Sequence, residues 1–262
     1  MVQPSEDGAA LGAGVRRGPV EGARTALACA WAALFLLVLL PIGLVCFPFD
    51  RRQWMHDRLS VVWARGALWL VGVRVEAEGV ERVRPGERYV IVANHQSALD
   101  ILALLVVLQA RAPIRFLAKR ALFRVPLLGW GMRLYGHTPV DRSRGRGAAA
   151  DLDEARRNVM QRWSTVFFPE GTRSATGRLL PFRLGAFRTA SAAGARLLPV
   201  TLDGSGALLP KGRRAAAPGV VRVVVHAPLA PPAASLAELH AAAEACRAVV
   251  AAALPEALRR AG

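Results

Sequence analysis

Short runs rich in Val, Ile and Phe alternate with longer runs of helical period through most of the chain, and no other feature restricts the fold so tightly. "VRVEAEG", "YVIVA", "IRFLA", "STVFF", "RLLPVTL" and "VVRVVVH" read as strands, because β-branched and aromatic residues suit a pleated, half-buried surface. "LDILALLVVLQA", the amphipathic "AAADLDEARRNVMQRW" and the closing "SLAELHAAAEACRAVVAAAL" read as helices. Strands alternating with helices predict an α/β fold, a sheet covered by helices. At 262 residues the chain has room for one such domain and an appendage.

The appendage is N-terminal. "TALACAWAALFLLVLLPIGLVCFPF", residues 25–49, carries no charge and is flanked by Arg24 on one side and Asp50, Arg51 and Arg52 on the other. About 20 apolar residues suffice to span a bilayer. Pro41 and Pro48 interrupt a simple span, so an interfacial or re-entrant anchor stands beside a spanning one. A second apolar helical stretch, "RLSVVWARGALWLVGV", follows. The expected organisation is a disordered tail over 1–24, a membrane-anchoring helical segment over 25–72 and the α/β domain over 73–262. A formal charge of +16 combined with 53% hydrophobic residues fits an anionic membrane surface. It argues against nucleic acid, since only 6% of residues are aromatic and the arginines are scattered. Cys29, Cys46 and Cys246 are too few and too far apart for a disulfide framework or a zinc site, which fits a reducing compartment.

In an open α/β sheet, ligands gather beyond the carboxyl ends of the strands. "NHQSALD" follows "YVIVA", "PEGTRS" follows "STVFF" and "DGSG" follows "LLPVTL"; if these strands are parallel neighbours, His95, Glu170 and Arg173 converge on one rim. On one regular helix His95 and Asp100 would point about 140° apart. They can meet if His95 lies in the turn and Asp100 in the first helical turn, where the helix N-terminus also tolerates a negative charge. An Asp bonded to one imidazole nitrogen fixes the tautomer and leaves the other nitrogen to take a proton from a hydroxyl. In the competing reading Asp100 or Ser97 caps the helix and His95 is a solvent-facing turn residue. No G-x-S-x-G elbow makes Ser97 a nucleophile.

"FFPEGTRS" admits an anion-binding concavity at Gly171, with the Arg173 fork matching phosphate oxygens, or an ordinary β-turn with a surface ion pair. "GHTPVDRSRGRG" brings Arg142, Arg144 and Arg146 near a glycine, either as a second phosphate contact or as an exposed basic loop. His56, His137, His226 and His240 lack matching partners and read as surface or structural residues.

In this order and at this spacing, "NHQSALD", "GHTPVDR", "FPEGTRS" and "LLPVTLDGS" resemble the four blocks of the lysophospholipid acyltransferase family, over about residues 59–228. The likeness is to members that act on lysophosphatidic acid. It implies a glycerolipid acyltransferase-like sheet covered by helices, an N-terminal apolar membrane-anchoring helical segment and an acyltransferase catalytic domain over 73–262. It implies that His95 is the general base and Asp100 its orienting partner, with direct attack of the acceptor hydroxyl on an acyl thioester. By the same resemblance Glu170, Gly171 and Arg173 hold the acceptor's glycerol phosphate, assisted by Arg142 and Lys119. Pro199 falls in the fourth block, which serves the acyl donor or shapes the pocket. The partners implied are acyl-CoA or acyl carrier protein, a lysophospholipid acceptor and the bilayer; no metal or redox cofactor is implied. The enzyme would sit at the cell membrane with its catalytic domain facing the cytoplasm. Other lysophospholipids, glycerol 3-phosphate and a lyso-ornithine lipid are alternative acceptors, and a non-catalytic basic membrane adaptor is the alternative from another class. Pro139 departs from the bulky apolar residue usual in the second block.

Overall fold

The computed structural model describes residues 18–46, 49–50, 53–126, 128–140, 147–161, 163–174 and 176–259. Seven strands form one sheet: β1 (Val73–Glu78), β2 (Tyr89–Ala93), β3 (Ile114–Lys119), β4 (Thr138–Val140), β5 (Ser164–Phe167), β6 (Arg196–Asp203) and β7 (Gly219–Val225). Their spatial order is β1-β7-β6-β2-β5-β3-β4, parallel throughout except for the antiparallel pair β6 and β7. The α/β expectation therefore stands, with one strand reversed.

The central strand shows why this sequence makes this sheet. Every residue of β2 is buried, as a strand covered on both faces requires. Tyr89, Ile91 and Ala93 join one core, with α2 (Trp54–Leu70) and α3 (Leu99–Leu108) over it. Val90 and Val92 join the other, under α5 (Gly147–Gln161), α6 (Gly185–Ala193) and α8 (Leu236–Ala252). Each large aliphatic side chain so buried stabilises by about 1.5–3 kcal/mol. The short helices α4 (Leu128–Leu134) and α7 (Ser205–Leu208) complete the element list. Pro139 sits in β4, an edge strand, where a missing N–H is tolerated.

The first helix, α1 (Pro19–Cys46), begins inside the stretch assigned to a disordered tail. Proline suits the first helical position, and the Glu21 carboxylate accepts the Gly18 N–H at 2.6 Å. Residues 1–17 lie outside the described part. The helix continues through Pro41 and is long and apolar enough to cross a membrane. Yet it lies along the domain: Thr25 Oγ1 accepts the Ala216 N–H at 3.0 Å near one end. Near the other end Gly43 faces the His56 ring, and between them the Trp31 indole fills the space that a side chain at Gly66 would need.

Helix α2 packs into the core of the domain. Its Ala64 and Leu68 belong to the core. Asp50 caps it by accepting the Trp54 and Met55 N–H groups, both at 3.0 Å. Buried Arg115 on β3 pairs with Asp57 at 3.0 Å and donates to Gln53 Oε1 at 2.7 Å, while Gln109 donates to Asp57 at 2.7 Å. A buried ion pair satisfied on this many sides fixes where α2 docks.

Candidate active site

Asn94 ends β2 by imitating a peptide group. Its amide donates to Leu202 O and accepts from Leu202 N, both at 2.8 Å, so pairing with β6 extends one residue past the strand. His95 follows from this clamped point. Its main chain is held against the turn after β5: His95 N donates to Glu170 Oε1 at 2.6 Å and Ser174 N donates to His95 O at 3.0 Å. Since β2 and β5 are parallel neighbours, the two turns share a rim.

Asp100 lies in the first turn of α3, and its Oδ2 is 2.8 Å from His95 Nδ1. The same oxygen accepts the Gln96 and Ser97 N–H groups at 2.8 Å each. The Ser205 hydroxyl, from the start of α7, donates to Oδ1. Asp100 is fully buried, and four groups engage its two oxygens. An anion there holds the proton on Nδ1 and leaves Nε2 as the basic nitrogen. Nε2 makes no hydrogen bond to a described residue, and the His95 side chain remains 12% exposed. Phe168 stacks on the imidazole, centroids 3.9 Å apart and planes 17° apart, which fixes the ring's tilt. The Asp100 carboxylate does not cap α3, since the N–H groups it accepts belong to Gln96 and Ser97, which precede Leu99; Ser97 Oγ is the atom that accepts the Leu99 N–H, at 3.3 Å. Ser97 spends its hydroxyl on Leu209 O at 2.8 Å.

Glu170 is buried, and its second oxygen accepts the Leu180 N–H at 3.0 Å. Burial pushes its carboxyl up to about 7, against the pull of the Leu180 and His95 N–H groups and with a further push from the Asp100 charge. With both oxygens engaged by backbone, it braces the two turns together. Gly171 has φ +75°, a conformation that favours glycine, and the Arg183 guanidinium packs close over it, 2.8 Å from where a Cβ would stand. Its N–H closes the turn onto Phe168 O at 3.0 Å.

The cations of the rim are more numerous than "TRS" alone announced. Half-buried Arg173 has no carboxylate partner among the described residues, and Arg183 packs over Gly171. Lys211 donates to Thr172 Oγ1 at 3.2 Å, beside Arg173. Lys119 ends β3, and the Phe116–Val166 register sets it level with Pro169. Arg142, Arg144 and Arg146 lie outside the described residues. Pro199 stands level with Val92 in the interior of β6, below the rim. The fourth block reaches the dyad instead through Leu202 and Ser205.

The remaining histidines are structural or exposed. His137 is half-buried, accepts the Phe116 N–H at 3.1 Å, and is pushed down to about 3 by desolvation, hence neutral. His226 bonds Thr201 Oγ1 at 2.8 Å, His56 contacts Asp50, and His240 is on the surface.

Comparison with known proteins agrees with this geometry. The Acyltransferase family model matches residues 74–203, which include both turns of the rim. A 1-acyl-sn-glycerol-3-phosphate acyltransferase of Chlamydomonas reinhardtii is 35% identical over 209 residues, covering 77% of this chain and 62% of the relative. A chloroplastic one of Brassica napus is 34% identical, covering 77% of this chain and 59% of the relative. The chain thus spans less than two thirds of these relatives. The crystal structure of the 1-acyl-sn-glycerophosphate acyltransferase PlsC from Thermotoga maritima superposes with a TM-score of 0.70 at 28% identity, covering 88% of this chain and 94% of that one. With the His95–Asp100 turn and the Glu170 turn both inside the matched region, the chain belongs to the lysophospholipid acyltransferase family.

Proposed function

We propose that the protein transfers a fatty acyl group from a thioester, acyl-CoA or acyl carrier protein, to the free hydroxyl of lysophosphatidic acid, forming phosphatidic acid. The observation that carries this is the buried Asp100 holding His95 with Nε2 open beside a rim of cations. Nε2 takes the acceptor's hydroxyl proton as its oxygen attacks the thioester carbonyl. The tetrahedral intermediate collapses, the C–S bond breaks, and the imidazolium returns the proton to the leaving thiolate. General-base catalysis of this kind contributes about 10²–10⁴ in rate. Arg173 holds the acceptor phosphate, and Lys119 and Arg183 neutralise the remaining charge. Gly171 gives that turn its shape. Glu170 organises the turn and leaves the anion to the cations, since a carboxylate at this place would repel phosphate.

The acceptor is an amphiphile of the bilayer, and the exposed apolar side chains of α1, among them Leu34, Leu37, Ile42 and Val45, suit contact with lipid. Both ends of α1 touch the domain, which favours an interfacial lie over a span. The enzyme then works at the cytoplasmic face of the cell membrane. The test is acyl transfer by the purified chain with lysophosphatidic acid, other lysophospholipids, glycerol 3-phosphate and a lyso-ornithine lipid. Preference for lysophosphatidic acid is the expected result. Preference for another acceptor corrects the substrate, and no transfer to any of them ends the reading.

A further inference from the structure

Between α7 and β7 the chain runs through residues 209–218, and near the middle of this segment Lys211, Arg213 and Arg214 are all exposed. Among the described residues no carboxylate pairs with any of the three. Scattered arginines are ordinary on a chain of net charge +16. These cations differ in that the segment carrying them is fixed to the rim at both its base and its tip.

The base is closed by two main-chain bonds, Leu209 N to Ser205 O and Ala217 N to Leu208 O, both at 2.9 Å. The Ser97 hydroxyl donates to Leu209 O at 2.8 Å, so one foot of the segment stands on the turn that carries His95. At the tip Arg213 N donates to Pro210 O at 3.1 Å, and Gly212 takes φ +87° at the third place of that β-turn, where glycine is favoured. Strands β6 and β5 flank β2 on opposite sides. The bond from Lys211 Nζ to Thr172 Oγ1, at 3.2 Å, therefore carries the tip across the end of β2 to the turn after β5. Lys211, Arg213 and Arg214 thus form a second group of cations, on the segment after β6, distinct from Lys119, Arg173 and Arg183 on the segments after β3 and β5.

Two groups of cations match a reaction in which both substrates carry phosphate at different distances from the reacting bond. In lysophosphatidic acid a few bonds separate the free hydroxyl from the phosphorus, so that phosphate has to lie close to His95 Nε2. In a pantetheine thioester the phosphate stands at the far end of a long flexible arm, so a site for it belongs at the edge of the rim. We propose that Lys211, Arg213 and Arg214 hold the phosphate at the head of the donor's pantetheine arm, apart from the cations that hold the acceptor. Arginine forks suit phosphate oxygens, and charge-assisted bonds of this kind are among the stronger polar contacts. With its phosphate held there, the arm lays the thioester along the rim toward His95, and the acceptor enters from the Arg173 side. The site rests on the acyl-transfer reading given above and adds the place where the donor is gripped.

The test uses the full chain in neutral detergent, where no anionic leaflet competes for the arginines, and the variant Arg213→Gln/Arg214→Gln, which changes two exposed side chains. The first arm needs no turnover. Free CoA, holo acyl carrier protein and pantetheine, which lacks the phosphate, are each titrated against parent and variant. At least one phosphorylated carrier should bind the parent about tenfold or more tighter than the variant, and pantetheine should not tell the two chains apart. The carrier that responds identifies the source of the phosphate. Equal affinity of both chains for both carriers overturns the site even if the enzyme proves to be the proposed acyltransferase. Binding that depends on these arginines in a chain that acylates no acceptor keeps the site and ends the proposed function. In the second arm the KM for the responding acyl thioester should rise about tenfold or more in the variant. The KM values for acyl-pantetheine and for lysophosphatidic acid should stay as in the parent. A rise confined to the acceptor's KM assigns the turn to the acceptor and overturns the donor site, and so does an equal rise for acyl-pantetheine, which would mean that the turn shapes the rim without holding phosphate.

Discussion

At the rim, four groups bond the fully buried Asp100 carboxylate, whereas along α1 and at the corner near α4 large apolar side chains face outward with nothing over them. The rim is built from short directional bonds, local ones within the turn after β2 and long-range ones from Glu170 and Ser205, which together fix the His95–Asp100 turn. The apolar surface is built from the absence of partners, and it gains free energy only when something covers it. The two regions differ in kind: fixed directional contacts on one side, uncovered apolar side chains on the other.

His95→Ala strikes the first region hardest. Turnover should fall about 10²–10⁴-fold while vesicle sedimentation stays as in the parent chain. Near-normal turnover would take the base away from His95, and lost vesicle binding would join the two regions that the structure separates. Next comes Glu170. Its folded value near 7 stands above the ordinary 4.5, so the folded chain holds a proton more tightly than the unfolded chain. The stability this contributes is complete below the unfolded value and is lost as pH rises through the folded one, about 3 kcal/mol in all. Urea titrations of the parent and of Glu170→Gln at about pH 5 and about pH 8 check it, the parent losing more than the variant. Parallel losses would mean that Glu170 is not the group responsible.

Arg173→Ala should raise the apparent KM for a phosphate-bearing acceptor by about 10–100-fold, the worth of a hydrogen bond to a charged group, and leave the KM for the acyl donor alone. Equal effects on both substrates would show that Arg173 shapes the pocket without gripping the acceptor. Ser205→Ala should lower kcat by about tenfold with little change in either KM, and Ser205→Thr should restore most of it. If Ser205→Ala costs only stability, the dyad needs no support from α7. The smallest effect belongs to Asp50→Ala, which uncaps α2 at about 1 kcal/mol by chemical denaturation, with turnover unchanged below the unfolding transition. A fall in kcat there would couple the anchor side of the molecule to the rim.

How much of this could be read beforehand differs from element to element. β2 runs Tyr89–Ala93, the stretch "YVIVA", because a continuous apolar run bounded by polar residues has few other solutions. β4 is three residues long with a proline in it, so it has no period to detect, while α6 does bury Ala186, Phe187 and Ala190 on one face but is short and made mostly of small and polar residues. The encounter of His95 with Asp100 is local and followed from their spacing. Ser205 lies 105 positions from Asp100, and only the order of the strands brings it there. The backbone donors of Glu170 are 75 and 10 positions away, so an acid in a turn gave no sign that its oxygens face inward. The packing of α1 against Gly66 and Ala216 likewise depends on partners that hydropathy does not name.

The pairing of β1 with β7 has a bearing on how the protein is made. Val73 is registered with Gly219, so the outer strand nearest the N-terminal helices waits for a partner 146 positions later in the chain. At the roughly 5–20 residues per second of synthesis, that wait is roughly 7–30 seconds. Throughout it α1 has left the ribosome while Ala216, its tether beside β7, has not yet been added. The longest helix, apolar along most of its length, is therefore made well before the segment that tethers it, and its apolar side chains wait through that interval for their place on the domain.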